Sequence, residues 1–506
     1  MMGQQQNQKD LFSYHIDLDR RVRSEHPLRK IQAAIDWNFV RTAVAACYGR
    51  NGNVSVDPVV ILKMMFLLFY DNVASERELL RVIPERLDYL WFLGYGLDEV
   101  IPGHSVLSKA RARWGGQVFE KLFLHTVGQA CAAGLVDGAK LHLDSSLVEA
   151  NADPQKTWSG PPELIAALKT AYAVQEQKLD EHPRRAHYQK KNRQLIHPTD
   201  PDAPTMSRGP GNKYSQARPR YKEHRAIDER CGVITAVQTT GADVEDGDLL
   251  EELIDQHQDS TEQTAQTVVT DSHYGTIGNF RKLQERGLRT HMAPRRPPGP
   301  AVDSGKFPAS DFTYHAAADT YTCPAGATLE RRNYDRFRSA WLYKARAGVC
   351  RRCPLRERCT PSVSGRIVMR YENQEQIDQG VAQSQSPAAR RDRRRRQHLV
   401  EGSFAEAANQ HHLRRPRWRR LWRQRIQSWL IAAVQNIKKL IGHGRSPRLA
   451  ALALAVKCVR LWGSSPRRKE SSASSFSSAP SLLFRAALSF TCRRTDHSGN
   501  RPEISG

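Results

Sequence analysis

The sequence lacks any apolar run long enough to cross a bilayer. Its most apolar segments, residues 59–70 and 449–456, are shorter than the ~20 residues that a membrane-spanning helix needs. The first ten residues, MMGQQQNQKD, contain neither an apolar stretch nor a cleavage site of the signal-peptide kind. Internal repeats are also missing. These absences predict a cytoplasmic protein with no membrane partner.

Acidic residues are scarce relative to basic ones. The 506 residues include 77 Lys and Arg against 53 Asp and Glu, a net charge of +24. Such an excess favours a polyanion as the partner, because each cation placed near a phosphate releases condensed counterions. A basic surface or a disordered tail is the alternative. Arginine runs also interrupt segments with a structured pattern, so the composition favours nucleic acid.

Cysteine is limited to nine residues, which we expect to be reduced thiols or metal ligands rather than disulfides in a cytoplasmic protein. Four of them lie in a segment of little apolar content, and Cys-x₂-Cys spacing is typical of a zinc half-site. The predicted ligands of a structural Zn²⁺ are Cys323, Cys350, Cys353 and Cys359. The alternative is that these are packed, reduced thiols.

Residues 26–135 have the pattern of a helical domain. Asp57 before Pro58 is a favoured helix start, and the apolar run that follows predicts a helix buried on nearly all sides. A later predicted helix is basic, which suits DNA binding but would equally suit a plain bundle. Its candidate DNA contacts are Lys109, Arg111 and Arg113.

The pattern then becomes that of a mixed α/β sheet. Residues 140–144 alternate like a strand and end on Asp144, and the short apolar run 267–271 ends on Asp271. A strand pair lies between them, and helices and a further strand complete the order strand, hairpin, helix, strand, helix, strand. We expect an irregular insert over 295–390, helices around Glu401 and over 421–441, and disordered segments at 1–25 and 443–506.

Carboxylates at the ends of two core strands suggest a metal site. Side chains at strand ends can meet in one crevice, and hard oxygen ligands suit Mg²⁺ or Mn²⁺. Glu401, on a helix after the insert, could add a third ligand. The pattern alone leaves open that each acid only caps a helix or lies in a solvated turn.

Several phrases of the chain resemble the insertion-sequence DDE transposases of bacteria. The N-terminal part does so in DPVVILKMMFLLFYDNVASERELLRVIPERLDYLWFLG and PGHSVLSKAR. The catalytic part does so in LDSSLVEANA, YKEHRAIDERCGVITAVQTT, VVTDSHYG, VEGSFAEAANQHHLRRPRWRR and IAAVQNIKKL. They occur in the family's order over residues 15–442, and the family motifs fall on Asp144, Asp271 and Glu401.

The resemblance implies a ribonuclease H-like catalytic domain over 136–442 behind a helical DNA-binding domain. Its implied activity is cleavage of double-stranded DNA at the element ends and transfer of the freed 3′-hydroxyl into target DNA, using two Mg²⁺ or Mn²⁺ per active site. We expect a homodimer or higher oligomer on DNA. Further expected DNA contacts are Arg393, Arg396, Arg414 and Arg415, with Arg396 close to the active site because it lies shortly before Glu401.

Three positions depart from the family pattern. His412 and Arg420 stand where relatives usually have glycine, and Gly103 stands where the turn often carries Asp. Two alternatives therefore remain beside an active transposase. One is a catalytically decayed, transposase-derived DNA-binding protein. The other, a metal-dependent nuclease unrelated to transposition, leaves the N-terminal helical domain unexplained.

Overall fold

The computed structural model describes residues 17–49, 54–153, 158–175, 194–206, 217–295, 306–336, 338–346 and 348–443. The N-terminal residues 1–16 and the basic tail beyond residue 443, both predicted to be disordered, lie outside this described part.

Eight helices form the N-terminal region. They are α1 (Leu18–Arg21), α2 (Pro27–Ala34), α3 (Phe39–Val44), α4 (Pro58–Tyr70), α5 (Glu76–Val82), α6 (Leu87–Leu93), α7 (Ser105–Trp114) and α8 (Gln117–Ala132). The Asp57 side chain accepts a hydrogen bond from the Val59 amide at 2.9 Å, as its predicted capping role requires. Every residue of α4 except Tyr70 is buried.

The predicted boundary of the disordered N-terminus, at residue 25, lies too far along the chain. Helix α1 lies within residues 1–25, and the Trp91 indole of α6 donates a hydrogen bond to the Asp19 carboxylate at 2.6 Å. Arg29 also donates to the carbonyl oxygen of Val22. These long-range contacts fix a segment whose polar sequence gave no apolar signal.

The central sheet is mixed. Its elements are β1 (Lys140–Glu149), β2 (Trp158–Gly160), α9 (Pro162–Gln175), β3 (Gln194–His197), β4 (Asp200–Met206), β5 (Arg218–Asp228), β6 (Ile234–Gly241), α10 (Leu250–Thr261), β7 (Thr267–Thr270), α11 (Ile277–Glu285) and β8 (Arg289–Met292). The strands β6, β5, β1, β7 and β8 lie in that spatial order. Strand β1 is antiparallel to β5 and parallel to β7, and β8 continues the parallel half. This arrangement confirms the mixed α/β prediction and matches a ribonuclease H-like core.

The insert after β8 is more regular than its sequence indicates. It contains β9 (Thr313–His315), β10 (Thr320–Thr322), β11 (Thr328–Asp335), β12 (Ala340–Lys344) and β13 (Ile367–Tyr371). These strands form an antiparallel sheet in the order β13-β12-β11-β10-β9. A small core of its own, including Tyr321, Leu329 and Tyr343, supports this sheet. The prediction of an irregular insert was therefore wrong.

The chain returns through α12 (Gln374–Gln385), α13 (Pro387–Arg396), a π-helical turn (Gln397–Glu401), α14 (Gly402–Gln410) and α15 (Leu421–His443). Helix α15 is buried along most of its length and packs against α4, α8 and β6. The Asn436 side chain bonds both the amide and the carbonyl of Ile234, at 2.9 and 2.8 Å. This helix therefore joins the N-terminal helices to the sheet.

Candidate active site

Asp144 and Asp271 lie on neighbouring parallel strands. His142 of β1 pairs with Val269 of β7, so the same register, continued by two residues, places Asp144 opposite Asp271. The Asp144 side chain is largely buried, and burial raises its pKa, to which the nearby Asp271 carboxylate adds. Two of the three predicted acids therefore share one end of the parallel strands.

A basic side chain contacts each of these two acids. Arg396, at the end of α13, donates a hydrogen bond to Asp144. His273 lies 2.8 Å from the Asp271 carboxylate through Nδ1, and this contact raises the pKa of His273. The predicted proximity of Arg396 to the site is thus present in the structure, although its partner here is a carboxylate.

Sequence reasoning missed a third acid in this neighbourhood. Asp246 follows β6 and accepts a hydrogen bond from the Ser145 hydroxyl, next to Asp144 in the chain, at 2.7 Å. Lys222 of β5 lies 3.1 Å from the same carboxylate and lowers its pKa, against the opposing effect of burial. The acidic run Glu245-Asp246-Gly247-Asp248 was the available signal, but it reads equally well as a helix start.

The loop after β7 packs closely on its neighbours. A Cβ atom on Gly275 would lie 2.0 Å from the Ala293 carbonyl oxygen, so only glycine fits there. The Asn279 amide donates to the carbonyl oxygens of Tyr274 and Gly247, at 2.9 and 3.0 Å. These contacts join the loop bearing Asp271 to the turn bearing Asp246.

Helix α13 is fixed on the sheet beside the acids. Its Asp392 carboxylate lies 2.6 Å from Nδ1 of His291 on β8 and 3.0 Å from Nζ of Lys140 on β1. Arg393 donates to the carbonyl oxygen of Ser384 at 2.7 Å. One face of the arginine-rich helix α13 therefore makes contacts within the protein.

Glu401 ends the π-helical turn that follows α13 and is exposed to solvent. Within the described residues, no three His, Cys, Asp or Glu side chains are arranged as a metal-binding cluster. The structure thus brings Asp144 and Asp271 together and leaves Glu401 exposed, outside any such cluster in the described residues.

The seven predicted DNA contacts differ in exposure. Arg393 and Arg396 are half-buried and make the internal contacts described above. Lys109, Arg113, Arg414 and Arg415 are exposed. Arg111, in contrast, is buried: it bonds Glu76 and lies over the Trp418 ring at 4.0 Å. This placement argues against a DNA contact for Arg111 and assigns it to the packing between α5, α7 and the segment before α15.

The four cysteines of the insert line one small cavity of about 30 Å³. Burial raises the pKa of Cys359, and the other three thiols raise it further. The amide of Ala327 donates to the Cys323 sulfur at 3.3 Å, in a turn where Gly326 has a φ of 76°. The four thiols therefore share one cavity, although the sequence spacing of Cys323 gave little sign of it, and within the described residues they are not arranged as a metal-binding cluster.

None of the described helices has the length and apolarity that crossing a membrane requires.

Two family models match the chain. Residues 16–113 match a transposase domain (DUF772), and residues 322–441 match a transposase DDE domain. The second match covers Glu401 and the four insert cysteines. No curated protein matches the chain. Among solved structures, the chain is similar to a piggyBac transposase synaptic complex with hairpin DNA, at 10% identity over 88% of this chain and 82% of that one, with a TM-score of 0.34.

Proposed function

Because the chain belongs to the DDE transposases, we propose that Asp144, Asp271 and Glu401 are its catalytic acids. The observation that carries this proposal is the closeness of Asp144 and Asp271, two residues beyond the last hydrogen-bonded pair of the parallel strands β1 and β7. As a DDE transposase, the protein is an enzyme that cuts DNA at the ends of a mobile element and joins them to a target.

The π-helical turn supports the inclusion of Glu401. Arg396 contacts Asp144, and Glu401 follows it by five residues. In an α-helix, a residue five positions on lies about 140° around the axis. The wider i→i+5 geometry of a π-turn brings residues five apart closer to one face than an α-helix does, and such turns are frequent at functional sites. This turn supports the proposal that Glu401 serves the same site as Arg396.

DDE transposases use divalent metal ions, and the chemistry of the acids here suits them, although the three are not arranged as a metal-binding cluster in the described residues. Carboxylate oxygens are the ligands that Mg²⁺ and Mn²⁺ prefer, and the paired acids already draw basic side chains to themselves. We propose two Mg²⁺ or Mn²⁺ ions held by the three acids. Such ions activate the attacking oxygen and stabilise the leaving one. With the acids occupied by metal, the Arg396 guanidinium, which contacts Asp144 in this structure, would be free to hold a non-bridging oxygen of the scissile phosphate.

The proposed partner is double-stranded DNA, both at the element ends and at the target. The exposed cations Lys109, Arg113 and Arg414 supply phosphate contacts. Arg415 adds another. We further propose a homodimer or higher oligomer on DNA, because two element ends are joined to one target.

We also propose that the four insert cysteines bind one structural Zn²⁺. They line one cavity, and the amide–sulfur hydrogen bond to Cys323 suits a thiolate. The small core of the insert sheet gives such a metal a folding role. Elemental analysis of the purified chain should find one zinc, and Cys353→Ser should remove it. A metal-free chain with four titratable thiols would contradict the assignment.

A catalytically decayed DNA-binding protein is the second candidate. The observation that favours it is the exposed position of Glu401, outside any three-acid cluster in the described residues. An active enzyme needs all three acids at one site, whereas a decayed copy tolerates the displacement of one of them.

Cleavage of DNA containing the element ends, with Mg²⁺, tests the assignment. The DNA tested is the sequence that flanks the gene, in which we expect inverted repeats as the element ends. We expect Asp144→Asn, Asp271→Asn and Glu401→Gln each to abolish cleavage and to leave duplex binding largely intact. Asp255→Asn is the matched control, because Asp255 is an exposed carboxylate paired with Arg286 away from the site. Cleavage retained in one acid variant removes that residue from the site, and a wild-type chain that binds without cutting favours the decayed protein.

A further inference from the structure

A large cleft of about 720 Å³ lies between the N-terminal helices and the far end of β1. One wall is the start of α5 with the turn before α7, and the other is the segment 149–153 after β1. Loop 412–419, which connects α14 to α15, lies between these two walls and closes the cleft. We call this the interdomain cleft. It contains none of the three proposed catalytic acids.

The walls of the interdomain cleft are held together by buried contacts. Arg417 donates to the carbonyl oxygen of Val73 at 2.6 Å, and the His411 ring bonds that of Phe69 at 2.8 Å. Buried Arg111 connects Glu76 to the Trp418 ring. The loop is thus anchored on α4 and α5, so the cleft is already formed without a ligand.

The lining is positively charged. Arg77, Arg415 and Arg419 are exposed in it. Its three acids are Glu76, Glu149 and Asp153, against five arginines. Glu76 and Glu149 are engaged by Arg111 and Arg218 respectively. A surface with this excess of guanidinium groups on separate segments suits a chain of phosphates rather than one small anion.

We propose that the interdomain cleft binds the sugar–phosphate backbone of DNA whose scissile phosphate lies at Asp144. This inference rests on the proposed function. Strand β1 runs from Asp144 to Glu149 at the cleft, and five residues of a strand span about 17 Å. At about 3.4 Å per nucleotide, the cleft meets the backbone roughly five nucleotides from the cut.

The first test is the salt dependence of binding. Fluorescence anisotropy with a random 30-base-pair duplex, and with one of its strands alone, is measured across a KCl series. Each lost phosphate contact lowers the slope of log K against log salt by about 0.9 for duplex and about 0.7 for single strands. We expect the triple variant Arg77→Ala/Arg415→Ala/Arg419→Ala to lower the slope by about two to three in whichever form the cleft binds.

A matched triple variant controls for charge. Arg20→Ala/Arg81→Ala/Arg286→Ala removes three arginines that form exposed ion pairs outside the cleft, and we expect its slope to equal that of the wild type. Equal slopes for the wild type and the cleft variant would overturn the proposal.

A second test locates the DNA. Ala152→Cys places a thiol in the cleft wall, and Ala317→Cys places one on the exposed turn between β9 and β10. Alkylation is followed by peptide mass spectrometry with and without the duplex. We expect several-fold slower alkylation at residue 152 only. Equal rates at residue 152 with and without DNA would overturn the proposal. Loss of the proposed active site would show separately, as cleavage retained in Asp144→Asn.

Discussion

His412 and Arg420 both adopt a left-handed backbone, with φ of 63° and 80°, although neither is glycine. They are the two positions at which the resemblance to insertion-sequence transposases predicts glycine. The His412 side chain is half-buried at the cleft, whereas Arg420 is 3% exposed and its guanidinium lies 2.9 Å from Asp202. Glycine substitutions at these positions therefore separate backbone strain from side-chain interactions.

The two substitutions should act in opposite directions. Left-handed backbone costs a residue with a Cβ about 1–2 kcal/mol, and the greater freedom of glycine in the unfolded chain returns about 0.5–1 kcal/mol of that. His412→Gly should therefore stabilise the fold by about 0.5–1 kcal/mol. Removing one partner of a buried ion pair costs about 3–5 kcal/mol, so Arg420→Gly should destabilise the fold by about 2–4 kcal/mol after relief of strain.

Urea unfolding, followed by tryptophan fluorescence, measures both effects as shifts of the midpoint at constant slope. His412→Ala and Arg420→Ala are the controls, because they truncate the side chain and keep the Cβ. At each position we expect the glycine variant to be more stable than the alanine variant by about 0.5–1 kcal/mol. If alanine and glycine prove equal at both positions, the left-handed backbone carries no strain and the reasoning fails.

Three further predictions follow from single contacts. Asp392→Asn weakens the contacts to Lys140 and His291, so we expect slower cleavage with unchanged duplex affinity. The control Asp378→Asn, on the exposed side of α12, should change neither the cleavage rate nor the duplex affinity. Burial lowers the pKa of His224 to about 3, so the neutral ring stabilises the fold above pH ~6.5. This stability is lost as the pH falls, by up to about 1.4 kcal/mol per pH unit. Between pH ~7 and ~4 the urea midpoint should therefore fall less steeply in His224→Gln than in the wild type, and equal slopes would contradict the assignment. Chelation of zinc should unfold the insert sheet while leaving the central sheet intact, which hydrogen exchange of β10–β12 against β1 and β5 would measure; unchanged exchange in the insert would argue against a structural metal.

The central strands could be predicted because their apolar residues alternate or form short runs that end on an acid. The same reasoning found β5 as one strand of the predicted pair, but it could not show that charged side chains of this strand are buried. Glu223 and Arg225 are fully buried there, and Arg225 bonds Glu223, the Ser403 hydroxyl and the Gln435 side chain at 2.6, 2.7 and 2.8 Å. Ser403 and Gln435 come from helices about 180 and 210 residues later, and no local pattern encodes such a pairing.

The insert sheet was missed for a related reason. The strand β11, Thr328–Asp335, buries only Leu329 and exposes four of its eight residues, so it carries almost no alternation. Arg111 shows the converse error, because a basic residue on a basic helix was assigned to DNA while its true partners, Glu76 and Trp418, are distant in sequence. Burial of a charged group depends on such partners, which only the tertiary structure reveals.

The position of Glu401 depends on how the insert is closed. The chain leaves the sheet at β8, and it returns to the same strand before α13 begins. The Gln383 side chain accepts a hydrogen bond from the Thr290 amide at 3.0 Å, and the Ser384 hydroxyl donates to the Thr290 carbonyl at 3.2 Å. Both ends of the insert therefore meet at one residue of β8. Because loop closure costs little more for a longer loop, the insert sheet adds its own core without moving α13. Asp392 then fixes α13 to β8 and β1, Arg396 reaches Asp144 one turn later, and the π-turn carries the chain to Glu401. Glu401 follows Asp271 by 130 residues, yet the contacts that position it begin at Thr290, only 19 residues after Asp271.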